Sequence, residues 1–285
     1  MFKQPGNFLL TALLVLLLGA CGPEPETSTA GNAEQQTAGE SGELEMIELP
    51  KAQAAEPGET VDYGFTAEKS SGAMTSFLDL TINNVHNLWA ELMVQGGHSV
   101  PFVDYSLPYE GDTETTSCTS TGSTGPDDAF YCAEDDAIVF ANELAMEMWE
   151  SEVASNGDPE AGAAAGNFAV AAAMAHVYAH SLQEEWGWLP TGADQERLVP
   201  VKRTELNADC LTGVWAYSAY DHDLLEADVV EGAMETLSGA GQFEGIDDKD
   251  HGTPAQRTAA FMAGFDSGLA SSCDSYLLSD DAPEQ

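Results

Sequence analysis

Basic residues are scarce in this chain: 8 Lys and Arg stand against 49 Asp and Glu, for a formal charge of -41 over 285 residues. That deficit argues against nucleic acid as a partner, because phosphate binding needs clustered Lys and Arg. A long apolar run is missing as well; the stretch from Phe8 to Leu18 is too short for a membrane span. No C-x-x-C pair occurs, which weakens a four-cysteine zinc site. No internal repeat is visible, so repeat architectures are set aside. A protein this acidic either works in high salt, where screening relieves self-repulsion, or attracts cations and basic partners. The saline, halophile reading is the hypothesis taken here. Unfolding at low salt supports it, and stability that ignores salt sinks it.

The amino-terminal residues carry an address. Lys3, the apolar run and Gly19-Ala20-Cys21 describe an export signal over residues 1–20. Leu18-Gly19-Ala20-Cys21 further resembles a bacterial lipobox, in which Cys21 becomes the lipidated first residue. The alternative is a simple secretory signal with a chance cysteine. The expected location is outside the cytoplasm, lipid-anchored on the outer side of a bacterial cell membrane or in the periplasm or outer membrane. Residues 21–60 are Pro, Glu, Thr, Ser, Gly, Ala and Gln with few apolar side chains, and read as a disordered acidic linker. One domain then spans 61–280, followed by a tail at 281–285. Cys118, Cys132, Cys210 and Cys273 remain for an oxidising compartment, which suggests two disulfides. Three pairings are possible. Cys118 with Cys132 and Cys210 with Cys273 is the favoured one; the first closes a short loop, for about 3 kcal/mol.

Periodicity makes the domain mainly helical. Phe77, Leu78, Ile82, Val85, Leu88, Trp89 and Leu92 recur at three and four within Thr75–Met93. His86 within it reads as an ordinary surface or core histidine. Val100–Tyr109 reads as an irregular strand pair, and Ala129–Cys132 with Ala137–Phe140 as a small antiparallel hairpin or edge. Further helices are expected at Glu143–Val153, Phe168–Glu185 with Asn167 as N-cap, Arg203–Tyr220 and Ala227–Leu237. Thr253-Pro254-Ala255-Gln256 has the form of a capping box that opens a last helix through Phe261 and Phe265 to Gly268.

Two histidines, His176 and His180, stand four apart in an alanine-rich run, so both imidazoles share one helix face and can reach one cation. The zinc-peptidase form of this spacing is H-E-x-x-H, whose glutamate is the proton acceptor. Here that position is Val177. Glu205 and Asp209 repeat the i, i+4 spacing on the next helix.

The order of motifs resembles the neutral zinc metallopeptidase family of bacteria, over about Leu88 to Tyr276. The matching pieces are Phe130-Tyr131-Cys132, Gly166-Asn167-Phe168-Ala169 leading to Ala175-His176-Val177-Tyr178-Ala179-His180 and Gln183, then Glu205-Leu206-Asn207-Ala208-Asp209-Cys210 through Gly213-Val214-Trp215-Ala216, and finally His251-Gly252-Thr253-Pro254-Ala255-Gln256-Arg257 with Cys273-Asp274-Ser275-Tyr276. The resemblance implies an α+β fold, a mainly helical zincin-like metallopeptidase domain with a small antiparallel sheet. It implies Zn2+ held by His176, His180 and Glu205, with Asp209 orienting an imidazole from behind. Two departures stand out. Val177 replaces the catalytic glutamate, and Tyr178-Ala179 replaces the usual small residue and glycine. The connection from His180 to Glu205 also looks shorter than usual.

No residue is a confident catalytic group. Glu184 falls near the face of His180 as a displaced base, Tyr178 or His251 could polarise a carbonyl or bind a ligand, and His251 could equally cap the start of its helix. The leading expectation is a lipid-anchored metallopeptidase-family protein with its zinc site retained and its peptidase activity weak or lost, a pseudoenzyme that binds a peptide or a cell-envelope protein. The alternative is a working metallopeptidase with a relocated base. A purely structural domain without metal is the third, and predicts a melting temperature indifferent to chelators.

Overall fold

The computed structural model describes residues 44–61, 65, 71–109, 111–190, 198–221, 225, 227–239 and 251–278. The expected export signal, Cys21, the first half of the linker and the tail lie outside these residues. The element order is α1 (Ser71–Gly96), β1 (Asp104–Ser106), β2 (Ala129–Cys132), β3 (Ala137–Phe140), α2 (Asn142–Ser155), α3 (Pro159–Glu185), α4 (Val201–Ala219), α5 (Ala227–Gly239), α6 (Pro254–Ser267), a 3-10 turn (Ala270–Cys273) and α7 (Asp274–Leu278). The fold is α+β and mainly helical, as expected. The sheet is mixed rather than wholly antiparallel, in the order β1-β3-β2. β2 and β3 form the expected hairpin, whereas Tyr105 of β1 pairs with Ile138 in a parallel register. Val100–Tyr109 therefore supplies one three-residue strand, not a pair. Its partner is a strand 33 residues on, a pairing that local periodicity cannot signal.

α3 is the axis of the domain. Phe168 through Ala175 are buried almost without interruption, and α1, α2, α4 and α5 all pack against it. A helix that is apolar on every side belongs in a core. Its start lies earlier than Asn167: Asp158 caps it, accepting from the backbone N–H groups of Glu160 and Ala161 at 2.8 and 3.1 Å, with Pro159 at the first helical position. Asn167 is buried in mid-helix, where its Oδ1 accepts from the Trp149 indole at 2.9 Å. A buried asparagine that satisfies an indole looks, in sequence, like one that caps a helix. Gly166 beside it leaves room for that indole, since a Cβ there would sit 2.7 Å from Trp149.

The domain also begins before Val61. Leu49 and Ala52 are buried. The Ala52 N–H donates to the Gly268 carbonyl at 2.8 Å, and that of Ala55 to Tyr217 at 3.0 Å. Residues 44–60 thus lie along the fold rather than forming the second half of a linker. The few apolar side chains of this segment are the ones that pack: Ile47 joins Leu49 and Ala52 at the main core, and Leu44 and Met46 pack against Trp188, Val199 and Leu277.

Both disulfides form as favoured. Cys118–Cys132 ties the Ser/Thr-rich loop to β2, and Cys210–Cys273, with a sequence separation of 63, ties α4 to the 3-10 turn. The longer loop constrains the unfolded chain by about 4 kcal/mol in the entropy account. No helix among the described residues is long and apolar enough to cross a membrane.

Candidate metal centre

α3 and α4 bring their i, i+4 pairs face to face. His176 Nε2 lies 3.2 Å from Glu205 Oε2 and 3.2 Å from His180 Nε2, and His180 Nε2 lies 3.5 Å from Glu205 Oε1. His176 is fully buried, and the side chains of His180 and Glu205 are 14% and 6% exposed. These edges can be compared with the metal they would hold. Ligands about 2.0–2.1 Å from a tetrahedral zinc stand about 3.3–3.4 Å apart, so the triangle already has the size of one face of that tetrahedron.

Behind His176 stands Asp209, its Oδ1 2.9 Å from Nδ1. Arg257, from the first turns of α6, donates to both Asp209 oxygens at 2.8 Å each. Asp209 and Arg257 are both buried. Burial alone would raise the Asp209 pKa, but the Arg257 charge outweighs it and holds the carboxyl below its usual range. The Arg257 guanidinium is likewise held charged against its burial by Asp209. An ionised Asp209 can only accept, so His176 donates from Nδ1 and presents a lone pair at Nε2.

Ligand atoms of His176, His180 and Glu205 then converge within 4.8 Å of one another. Such a set needs a proton or a cation at its centre. The titration tendencies agree: burial pulls the His176 pKa down, yet Asp209 and Glu205 raise it above its ordinary value. Burial opposes ionisation of Glu205, and the neighbouring His180 and His176 imidazoles nevertheless keep its pKa well below the usual range. His176, His180 and Glu205 are the group of described residues whose donor atoms could hold a metal ion. Two imidazoles and one carboxylate are a donor set that suits zinc.

A family model described as "Putative neutral zinc metallopeptidase" matches residues 43–276. The chain belongs to this family. Its relatives include the uncharacterized protein YpfJ of Escherichia coli, 30% identical over 186 residues, 59% of this chain and 60% of that protein. The chain thus spans less than two thirds of that relative's length. The uncharacterized protein Rv2575 of Mycobacterium tuberculosis is 27% identical over 222 residues, 70% of this chain and 70% of that protein. No solved structure matches the chain.

The other sequence candidates fall elsewhere. Val177 is completely buried in the apolar core. Tyr178 is not at the triangle: two positions on from His176, it lies on the opposite side of α3, and its hydroxyl meets His86 Nδ1 on α1 at 2.9 Å. Glu184 turns toward the sheet, where its Oε2 lies 3.4 Å from the Tyr131 hydroxyl, which donates more closely to Asp136 at 3.0 Å. Burial raises its pKa, and Asp136 and Glu185 add to that. Its i+4 position relative to His180 does not settle its direction, because β2 offers a closer partner. His251 does come near, with Nε2 4.0 Å from Glu205 Oε2. Capping of α6 falls to Thr253, whose hydroxyl accepts from the Gln256 N–H at 3.3 Å while its own N–H donates to the Gln256 side chain.

Three residues of the site had no role in the sequence reading: Arg257, Gln183 and Asn207. Gln183 lies 2.9 Å from His180 Nδ1, and Asn207 contacts Gln183 in turn. Their signal was available. A chain with only 8 Lys and Arg that places one on the first turns of a capped helix beside a core invites a buried partner for it. Gln183 follows His180 by three, a spacing that puts the two on one helix face.

Proposed function

We propose that this chain is an exported, lipid-anchored zinc protein of the metallopeptidase fold whose hydrolytic power is weak or lost, and which acts by binding a peptide segment or a protein of the cell envelope. The observation that carries this reading is Val177. The position that holds the general base in H-E-x-x-H is a fully buried aliphatic side chain next to a triangle already sized for zinc. When bound, zinc polarises a water or a carbonyl. His176, His180 and Glu205 would hold it, while Asp209 and Arg257 fix His176 from behind. The neighbouring carboxylates lie elsewhere or have other tasks: Glu205 belongs to the triangle, Asp209 pairs with Arg257, and Glu184 faces Tyr131 on β2. Lacking a positioned proton acceptor costs about 10²- to 10⁴-fold in rate.

One observation favours a working enzyme as the second reading. His251 stands at the edge of the triangle, and burial lowers its pKa, which favours the neutral, proton-accepting imidazole.

Elemental analysis of protein purified without chelator comes first, with His176→Ala as control. About one zinc per chain, lost in the variant, is the expected result. Peptide hydrolysis is then compared between wild type, Val177→Glu and His251→Ala. Activity gained only with Val177→Glu fits the disabled site. An active wild type that His251→Ala silences fits the second reading. Zinc in neither wild type nor variant overturns both.

A further inference from the structure

We propose that Gln183 and Asn207 are positioning residues for His180: their side-chain amides fix its tautomer, so that Nε2 carries a lone pair into the donor triangle. The proposal rests on the zinc reading above and assigns the support of its second histidine. Asp209 supports His176 through a charge. Behind His180 Nδ1 stand the neutral amides of Gln183 and Asn207, and the same result is reached without a charge.

The argument follows from which atoms can donate. A backbone carbonyl only accepts. Asn207 Nδ2 lies 3.0 Å from the Cys273 carbonyl, so the amino end of Asn207 points there and its Oδ1 faces Gln183. Gln183 Nε2 lies 2.8 Å from that Oδ1 and 2.7 Å from the Thr204 carbonyl. Two acceptors on one side place the Gln183 amino group between them and aim Oε1 at His180. His180 Nδ1, 2.9 Å from Oε1, must therefore carry the hydrogen, and Nε2 is bare. That atom is the one 3.2 Å from His176 Nε2 and 3.5 Å from Glu205.

The relay is well anchored. Gln183 and Asn207 are fully buried, so water does not compete for their amides. Cys273 is bonded through sulfur to Cys210, which lies three residues after Asn207 on α4, and this keeps the accepting carbonyl in register with the donor. Turning either amide over would face a carbonyl oxygen with another oxygen. The two imidazoles are thus preset by independent means, a buried ion pair for one and a neutral amide relay for the other.

The test reads the tautomer directly, because a role limited to tying α3 to α4 would leave it untouched. Ring-nitrogen NMR on metal-free wild-type protein, at a pH where the imidazoles are neutral, should show His180 protonated at Nδ1 and bare at Nε2. In Gln183→Leu the two tautomers should mix, and zinc affinity in chelator competition should fall about 10- to 100-fold. Asn207→Ala, which leaves the Thr204 contact in place, should weaken zinc less. A wild-type His180 protonated at Nε2, or a Gln183→Leu protein with unchanged tautomer and affinity, overturns the proposal. Should Gln183→Leu fail to fold, the wild-type tautomer and Asn207→Ala still decide. A wild type that takes up no zinc yet shows the Nδ1–H tautomer supports the relay and defeats the zinc reading alone.

Discussion

Replacing Gly213 by alanine tests how α4 and α6 hold the candidate metal centre together. The two helices cross through a reciprocal glycine contact. A Cβ built on Gly213 would lie 2.7 Å from the Phe265 backbone nitrogen and closer still to the Phe261 carbonyl oxygen, and one on Gly264 would meet Cys210 and Val214 in the same way. The obstacles are backbone atoms, which cannot rotate aside. Ordinary contact begins near 3.4 Å, so the helices must part by something on the order of 1 Å. Two effects then compete. Alanine is the better helix former by about 1 kcal/mol. Overpacking against rigid backbone costs about 3 kcal/mol. The clash wins, and a net loss of about 2 kcal/mol should lower the melting temperature by about 4–8 °C. Asp209 lies one turn from Gly213 and its Arg257 bonds cross between the same helices, so the support of His176 should loosen and zinc affinity fall about tenfold or more. Gly157→Ala is the control, since a Cβ there meets nothing within 4 Å, and it should leave stability unchanged or raise it by about 0.5 kcal/mol. Thermal unfolding followed by circular dichroism and chelator competition read the two effects. A Gly213→Ala protein at least as stable as wild type would refute the close crossing and the coupling drawn from it.

Arg257→Met should cost about 3–5 kcal/mol, because it leaves the Asp209 charge buried without its ion-pair partner. Adding Asp209→Asn should recover part of that loss in urea unfolding; a single variant within about 1 kcal/mol of wild type would count against the pairing. Burial pushes the Asp274 carboxyl up to about 6 from 3.8. The folded state then holds this proton more tightly than the unfolded chain, so its contribution is present below pH 3.8 and is lost as pH rises through about 6. Stability scans from about pH 4 to about pH 7 should show that decline in wild type and a flatter profile in Asp274→Asn; equal slopes would reject it.

Much of this was legible in sequence because it depends on local order. Helical periodicity located α1, α2 and α4, the Thr253 to Gln256 spacing gave the capping box, and two i, i+4 pairs supplied the donors. Val177 is a fact of sequence alone, and the family's motif order placed Glu205 opposite the histidines before any distance was known. What tertiary structure decided concerns direction and partner. Asn167 looked like a cap and is an indole acceptor, because only packing places Trp149 beside it. Glu184 shares a helix with the histidines, yet β2 draws it to Tyr131, and α1 draws Tyr178 to His86. β1 found a parallel partner that no adjacent pattern announces. The buried Arg257–Asp209 pair and the Gln183–Asn207 relay join residues 24 to 66 positions apart. Periodicity fixes which face of a helix a side chain occupies. Only the meeting of faces, and the exclusion of water where they meet, fixes what that side chain must bond.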